Sequence, residues 1–299
     1  MATAHATRVP APPDRGVARR SARRTAAALL LPGLAALLLT FAAPLAWLIR
    51  MSLNRGESSG LIVNTLTLDS YATAIGDSFY WGVIWRTVQL GLLVTVLTVL
   101  VSYPIALFLS RTTSRWRGVL VALAIAPLLT SAVVRTYGWM AILADQGVVN
   151  GALTGLGLID TPLRLMNNFT GAVIALVEIL MPYAILAMLA GFGRIDAELE
   201  HAASSLGANR AKVFWRVTLP LSMPGVITAA LLVFVLSISS FVTPRLVGGG
   251  RLFVLATEIF NQATMTLNWP LAAALSVMLL VLFGVVIACY QRAVRALEG

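Results

Sequence analysis

Glu178 lies inside the run GAVIALVEILMPYAIL and is the only charged residue between Phe169 and Phe192. A carboxylate in such apolar surroundings is costly, and in a membrane-embedded chain it is functional by default. Two uses fit it. It could attract a cationic solute along a pathway, or it could neutralise an arginine within the membrane. Pro182, four residues on, can kink the helix that carries it. A second group, Arg135, Tyr137 and Trp139, falls in VVRTYGWMAIL (Val133 to Leu143). These side chains could anchor a helix at the membrane interface, with the arginine snorkelling. They could equally line a gate or substrate surface, with aromatic faces that hold an ammonium group. Arg86 and Arg245, at the edges of apolar runs, fit snorkelling side chains. No catalytic residue and no metal site is expected. The sequence has no G-x-x-x-x-G-K-[ST] to cradle ATP phosphates, and the single cysteine, Cys289, cannot form an internal disulfide.

The longest polar stretch is DAELEHAASSLGANRAKVFWRVTLPLSMPGV, Asp196 to Val226. Asp196 can cap a helix, and Glu198 and Glu200 favour the positive end of its dipole. Leu199, Ala202, Ala203 and Leu206 follow at helical spacing and line one face, while Glu200, His201, Ser204 and Ser205 take others. Gly207 falls where a helix ends in a left-handed residue. Asn209 can cap a second short helix with Val213, Phe214 and Val217 on one side. Leu219-Pro220 would end that helix, and Pro224 would open the next apolar segment. The expected form is two short helices joined at Gly207. A helix lying on lipid carries large apolar anchors and a basic polar face. The small residues and acidic start here suit a protein partner better.

The elements that must position these groups are apolar. The chain of 299 residues is 59% hydrophobic and 11% charged, with a mean hydropathy of +0.87. Soluble domains carry about 25% charged residues, so an integral membrane protein is expected. Six segments could cross a bilayer as helices: Thr25–Ile49, Trp81–Leu109, Gly118–Leu143, Phe169–Phe192, Pro224–Val247 and Trp269–Tyr290. Trp47, Tyr80, Trp81, Trp116, Trp139, Trp269 and Tyr290 sit near their ends, as in interfacial belts. Thr25–Ile49 is too long for the apolar core of a signal peptide and is expected to be retained.

Of the 22 Lys and Arg residues, fifteen fall on the side that carries both termini and the polar stretch, and only Arg55, Arg164 and Arg251 fall in loops on the other. That bias puts both termini and the polar stretch in the cytoplasm. The net charge of +10 then reports topology and not a nucleic-acid partner. The expected organisation is a disordered basic cytoplasmic tail at 1–24, a six-helix transmembrane domain at 25–292 with a polar loop at 194–222, and a cytoplasmic tail at 293–299. The stretches Met51 to Tyr80 and Ala144 to Asn168 could hold short surface helices, and Gly248, Gly249 and Gly250 mark a turn. No internal repeat is visible, which counts against a self-contained secondary transporter.

The polar stretch resembles the cytoplasmic loop motif of ABC importer permeases: E-A-A, a glycine a few residues on, and a later L-P. Here the pieces are His201-Ala202-Ala203, Gly207 and Leu219-Pro220, with histidine where the family usually has glutamate and Glu200 adjacent. VVRTYGWMAIL, SSFVTPRLVGG (Ser239 to Gly249) and NWPLAAALSV (Asn268 to Val277) resemble the spermidine/putrescine-type subunits, from about Thr87 to Val286. The resemblance implies an all-α, six-helix type I ABC importer permease in the bacterial inner membrane. Glu200, His201, Ala202, Ala203, Leu206, Gly207, Leu219 and Pro220 would couple it to an ATPase dimer that binds ATP and Mg. A second, homologous permease and a periplasmic substrate-binding protein would complete the machine. The solute would be polyamine-like or another small solute, such as an amino-acid derivative, a phosphonate or another organic anion.

Overall fold

The computed structural model describes residues 15–56, 61–193 and 197–298. Its first unit is one helix, α1 (Arg15–Ser52), whose apolar part runs from Leu29. The helix begins inside the tail expected to be disordered. Alanine and arginine dominate residues 15–28 and are among the best helix formers, so local propensity carries the helix past the apolar run.

The second unit begins with a small antiparallel pairing of Arg55–Gly56 with Ile62–Val63. Short helix α2 (Asp69–Gly76) leads into α3 (Ser78–Arg111), where Asp77 Oδ1 accepts from the Phe79 amide at 2.8 Å. At 34 residues α3 is about 51 Å long, longer than the roughly 30 Å of a bilayer's hydrocarbon core.

The third expected span is not one helix. Segment α4 (Arg117–Ile125) runs into a 3₁₀ turn at Ala126–Leu129, and a new helix, α5 (Ala132–Leu143), starts after it. Together with α6 (Val148–Gly155) the second limb is bent by 93° from the first. Pro127 removes a backbone donor, and Thr130 is extended at φ −100°, ψ 138°. Ser131 Oγ then caps α5 from the Val133 amide at 3.3 Å. Hydropathy runs smoothly through this break, whereas the backbone chemistry does not.

Helix α7 (Phe169–Phe192) has the expected bounds, with Asn168 Oδ1 accepting from the Gly171 amide at 2.8 Å. After it come α8 (Ala197–Ser205) and α9 (Arg210–Val213), then a π turn (Phe214–Thr218) and α10 (Leu219–Ser239). The segment from Arg210 to Ser239 is one continuous 30-residue span. Two expectations are corrected here. The second loop helix is not short, because Pro220 falls in the first turn of α10, and the π turn just ahead of it gives the ring room at the i−4 carbonyl. Pro224 does not open the span but lies inside it, and the span ends at extended Ser240. Residues Val242–Val247 form a separate helix, α11. The glycine turn follows it, then α12 (Leu255–Thr264) and α13 (Trp269–Glu298). The last helix carries on through residues expected to form a tail.

Helices α3, α7 and α10 pack on one another and form the main core, with Leu90, Val94, Leu176, Ile185, Met188, Ala229 and Val233 buried between them. Close approach of α7 and α10 is set by two glycines. A Cβ on Gly191 would lie 2.5 Å from the Cα of Gly225, and small residues at such crossings let backbones meet. A second cluster joins Ala74, Tyr80 and Val83 to Leu255, Leu271 and Leu275. The outward faces remain apolar: Leu92, Val96 and Leu100 of α3 are 54%, 54% and 64% exposed. Among the described residues, five helices are long and apolar enough to cross a membrane, or six if the bent pair counts as one.

Candidate coupling loop and intramembrane ion pair

The loop between α7 and α10 is built around Gly207. Its φ is +85°, a left-handed value that costs other residues energy. The Ala208 amide donates to the Ala203 carbonyl at 3.2 Å, and the Gly207 amide donates to Ser204 at 3.0 Å. This is a Schellman ending, which satisfies the last carbonyls of α8. Asn209 Oδ1 accepts from the Lys212 amide at 2.9 Å and opens the next helix. Arg194 and Asp196, expected in the loop and as its first cap, lie outside the described residues.

Leu206 is 89% exposed and Leu199 48%, His201 and Ala202 are exposed, and Ala203 is half-buried. Leu219 is half-buried and Pro220 exposed, both in the first turn of α10 and so part of the span.

Glu200 points the other way. Its Oε1 accepts from the guanidinium of Arg111, at the end of α3, and from Thr218 Oγ1 at 2.7 Å. Arg111 Nη2 also donates to Thr218 Oγ1 at 3.2 Å. Periodicity places Glu200 off the apolar face, but it does not say which element arrives there. Arg111 counts in the sequence only toward the charge bias, and Thr218 carries no signal at all. A cleft of about 460 Å³ opens beside this cluster, lined by Leu107, Ser110, Phe192 and His201 among others.

Toward the opposite end of α7, three of the four pathway candidates meet. Arg135 Nη2 donates to Glu178 Oε1 at 2.8 Å and to the Glu178 carbonyl at 3.1 Å. Trp139 Nε1 donates to Glu178 Oε2 at 2.9 Å. Arg135 Nη1 also reaches the carbonyl of Pro127, at 3.3 Å, across the break in the third segment. The carboxylate is thus paired with a cation, as the second of its two expected uses requires. It is not sealed: the Glu178 side chain is 34% exposed and that of Arg135 11%. Tyr137 is 56% exposed and takes no part in the cluster. Below Trp139 a small core of Leu143, Ala175 and Val247 seats α5 against α7 and α11, and buried Thr136 and Thr243 share a hydrogen bond of 3.0 Å. Charged and aromatic residues signalled this site in the sequence; the threonine pair did not.

Residues 91–298 match the family described as binding-protein-dependent transport system inner membrane component. The chain is 31% identical over 242 residues to the spermidine/putrescine transport system permease protein PotB of Haemophilus influenzae, covering 81% of this chain and 84% of that protein. Identity to PotB of Escherichia coli K12 is 32%, covering 81% and 88%. Among solved structures, a bacterial ABC transporter involved in the import of the acidic polysaccharide alginate gives a TM-score of 0.71 at 17% identity, covering 95% of this chain and 99% of that one. The inward-facing MetNI methionine ABC transporter gives 0.56 at 16% identity, covering 72% and 94%. At these identities the structural likeness concerns the fold alone. The chain belongs to the binding-protein-dependent transport system inner membrane component family, and it is a multi-pass ABC importer permease of the bacterial inner membrane.

Proposed function

We propose that this permease forms part of the membrane pathway for a spermidine- or putrescine-like polyamine, which a periplasmic binding protein delivers and ATP hydrolysis in a separate subunit drives. The substrate class comes from the PotB relatives that share 81% of the chain. For the division of labour, the observation that carries the reading is α8. It is an exposed helix fixed at its end by Gly207, with Leu206 89% exposed beside His201 and Ala202. Such a helix suits the groove of an ATPase.

In this reading both termini and α8 are cytoplasmic, in line with the arginine bias. ATP and Mg bind in a dimer of ATPase subunits. Closure of that dimer draws α8 of this chain toward its counterpart in a second, homologous permease. The spans then turn from inward-open to outward-open, and the binding protein releases its solute into the mouth. Glu178, partly exposed beside the Trp139 indole, is a pathway carboxylate whose charge Arg135 balances. That balance also favours a second reading of the solute, because a neutralised pathway does not by itself select cations and would pass a small organic anion.

Proteoliposomes holding the whole transporter test both readings. Uptake of radiolabelled spermidine is expected only with ATP, the ATPase, both permeases and the binding protein. Uptake without the ATPase would make the chain a secondary transporter. Binding of an organic anion but no polyamine by the cognate binding protein would favour the second solute.

A further inference from the structure

Three elements meet at one carboxylate. Arg111 is the last residue of α3, Glu200 belongs to α8, and Thr218 closes the π turn that heads α10. Thr218 is buried at 1% exposure, while the side chains of Glu200 and Arg111 are 21% and 46% exposed. Oε1 of Glu200 accepts from both partners, and the partners are bonded to each other.

We propose that Glu200 is a positioning residue that makes α8 a lever fixed to two spans, and that it is not a contact to the ATPase. This inference rests on the reading of α8 as the seat of the motor. Helix α8 packs chiefly on the segment Arg210–Thr218. Its C-terminal joint is Gly207, where an added Cβ would meet nothing within 4 Å. A helix held only by such a joint would tilt under load without moving the core. The Arg111–Glu200–Thr218 cluster removes that freedom. A pull on α8 is passed at once to the end of α3 and the head of α10, which pack on each other and on α7 in the main core. The π turn contributes as well. It inserts an extra residue into the helix, a feature frequent at functional sites, and its last residue presents the hydroxyl that Glu200 holds. His201 and Leu206 remain free to face the partner, so that anchoring and docking fall to different residues of α8 and its C-terminal end.

The test uses the complete transporter in proteoliposomes, with spermidine uptake and ATP hydrolysis measured together. Glu200→Gln is expected to keep the ATPase bound and hydrolysing while uptake per ATP falls about tenfold, the scale on which one charge-assisted hydrogen bond acts. Glu200→Arg alone and Arg111→Glu alone should be worse, and the two combined should recover most of the loss. Wild-type uptake per ATP in Glu200→Gln, or no recovery in the double reversal, would overturn the proposal. So would loss of the ATPase from the Glu200→Gln complex, which would make Glu200 part of the docking surface. Leu206→Asp separates the underlying reading: release of the ATPase is expected, and a complex that stays intact and coupled would refute α8 as its seat, whatever Glu200 does.

Discussion

Arg135 and Glu178 form an ion pair between a broken helix and a continuous one, with Nη2 of the arginine 2.8 Å from Oε1 of the glutamate. The same guanidinium holds the carbonyl of Pro127 on the far side of the break. One side chain therefore balances the only charge within α7 and fixes the course of the chain where the third segment turns by 93°.

The two partners are not equivalent when removed. Arg135→Gln leaves a carboxylate with only the Trp139 indole, while the Pro127 carbonyl keeps the Thr130 amide at 3.1 Å. Glu178→Gln keeps an acceptor for Trp139, and Arg135 retains two backbone carbonyls. Breaking a buried pair costs about 3–5 kcal/mol and an exposed one at most about 1 kcal/mol. With Glu178 at 34% exposure, Arg135→Gln should cost roughly 2 kcal/mol after allowing for screening. Thermal unfolding in detergent should rank Arg135→Gln below Glu178→Gln, and the double variant should regain part of the loss. Uptake of a polycation should fall in Glu178→Gln while assembly with the other subunits persists.

Trp139→Phe isolates the indole donor. It keeps the ring against Leu143 and Ala175 and removes only the 2.9 Å bond to Oε2. A loss of about 1 kcal/mol is expected, as for one hydrogen bond. In a double-mutant cycle with Glu178→Ala the two effects should not add. Full additivity in melting temperature would mean that the tryptophan acts through packing alone.

The apolar spans α3 and α7, and the start of α13, were legible to within a few residues because hydropathy reports them directly. Gly207 and Asn209 were equally legible, since a left-handed ending and an amide cap are local chemistry. The third and fifth spans went wrong for one shared reason. A hydropathy window weighs side chains, while Pro127, Thr130, Ser131 and Pro220 act through the backbone. Pairing was the hardest part. Glu178 announced the need for a partner without naming it, since Arg135 reads as an interface anchor or a gate residue, and Glu200 reads as one more polar residue on a loop helix. Only the arrival of Arg111, 89 positions earlier in the chain, shows where it points.

Gly207 can be tested through its backbone alone, because a side chain there meets open space. A left-handed residue other than glycine costs about 1–2 kcal/mol, and asparagine tolerates the position best. Gly207→Asn should therefore couple ATP hydrolysis to uptake nearly as well as the native chain. Gly207→Val should keep hydrolysis and lose most uptake. Equal uptake in the two variants would show that α8 does not depend on this ending.

The crossing of Gly191 and Gly225 leads to the opposite expectation. A methyl on Gly191 would stand 2.5 Å from the Gly225 Cα, and one on Gly225 would stand 3.1 Å from the Gly191 Cα. Neither contact is the end of a flexible side chain that could move aside, so the helices themselves must part. Overpacking of this kind costs about 1–3 kcal/mol, and it opposes the gain of up to about 1 kcal/mol that alanine brings to a helix over glycine. Gly191→Ala should lower the melting temperature of the purified chain, and Gly225→Ala should do so by less. Gly82→Ala, on α3 with nothing within 4 Å of the added methyl, should leave it unchanged or raise it. If Gly191→Ala proved as harmless as Gly82→Ala, α7 and α10 would not cross at these two residues.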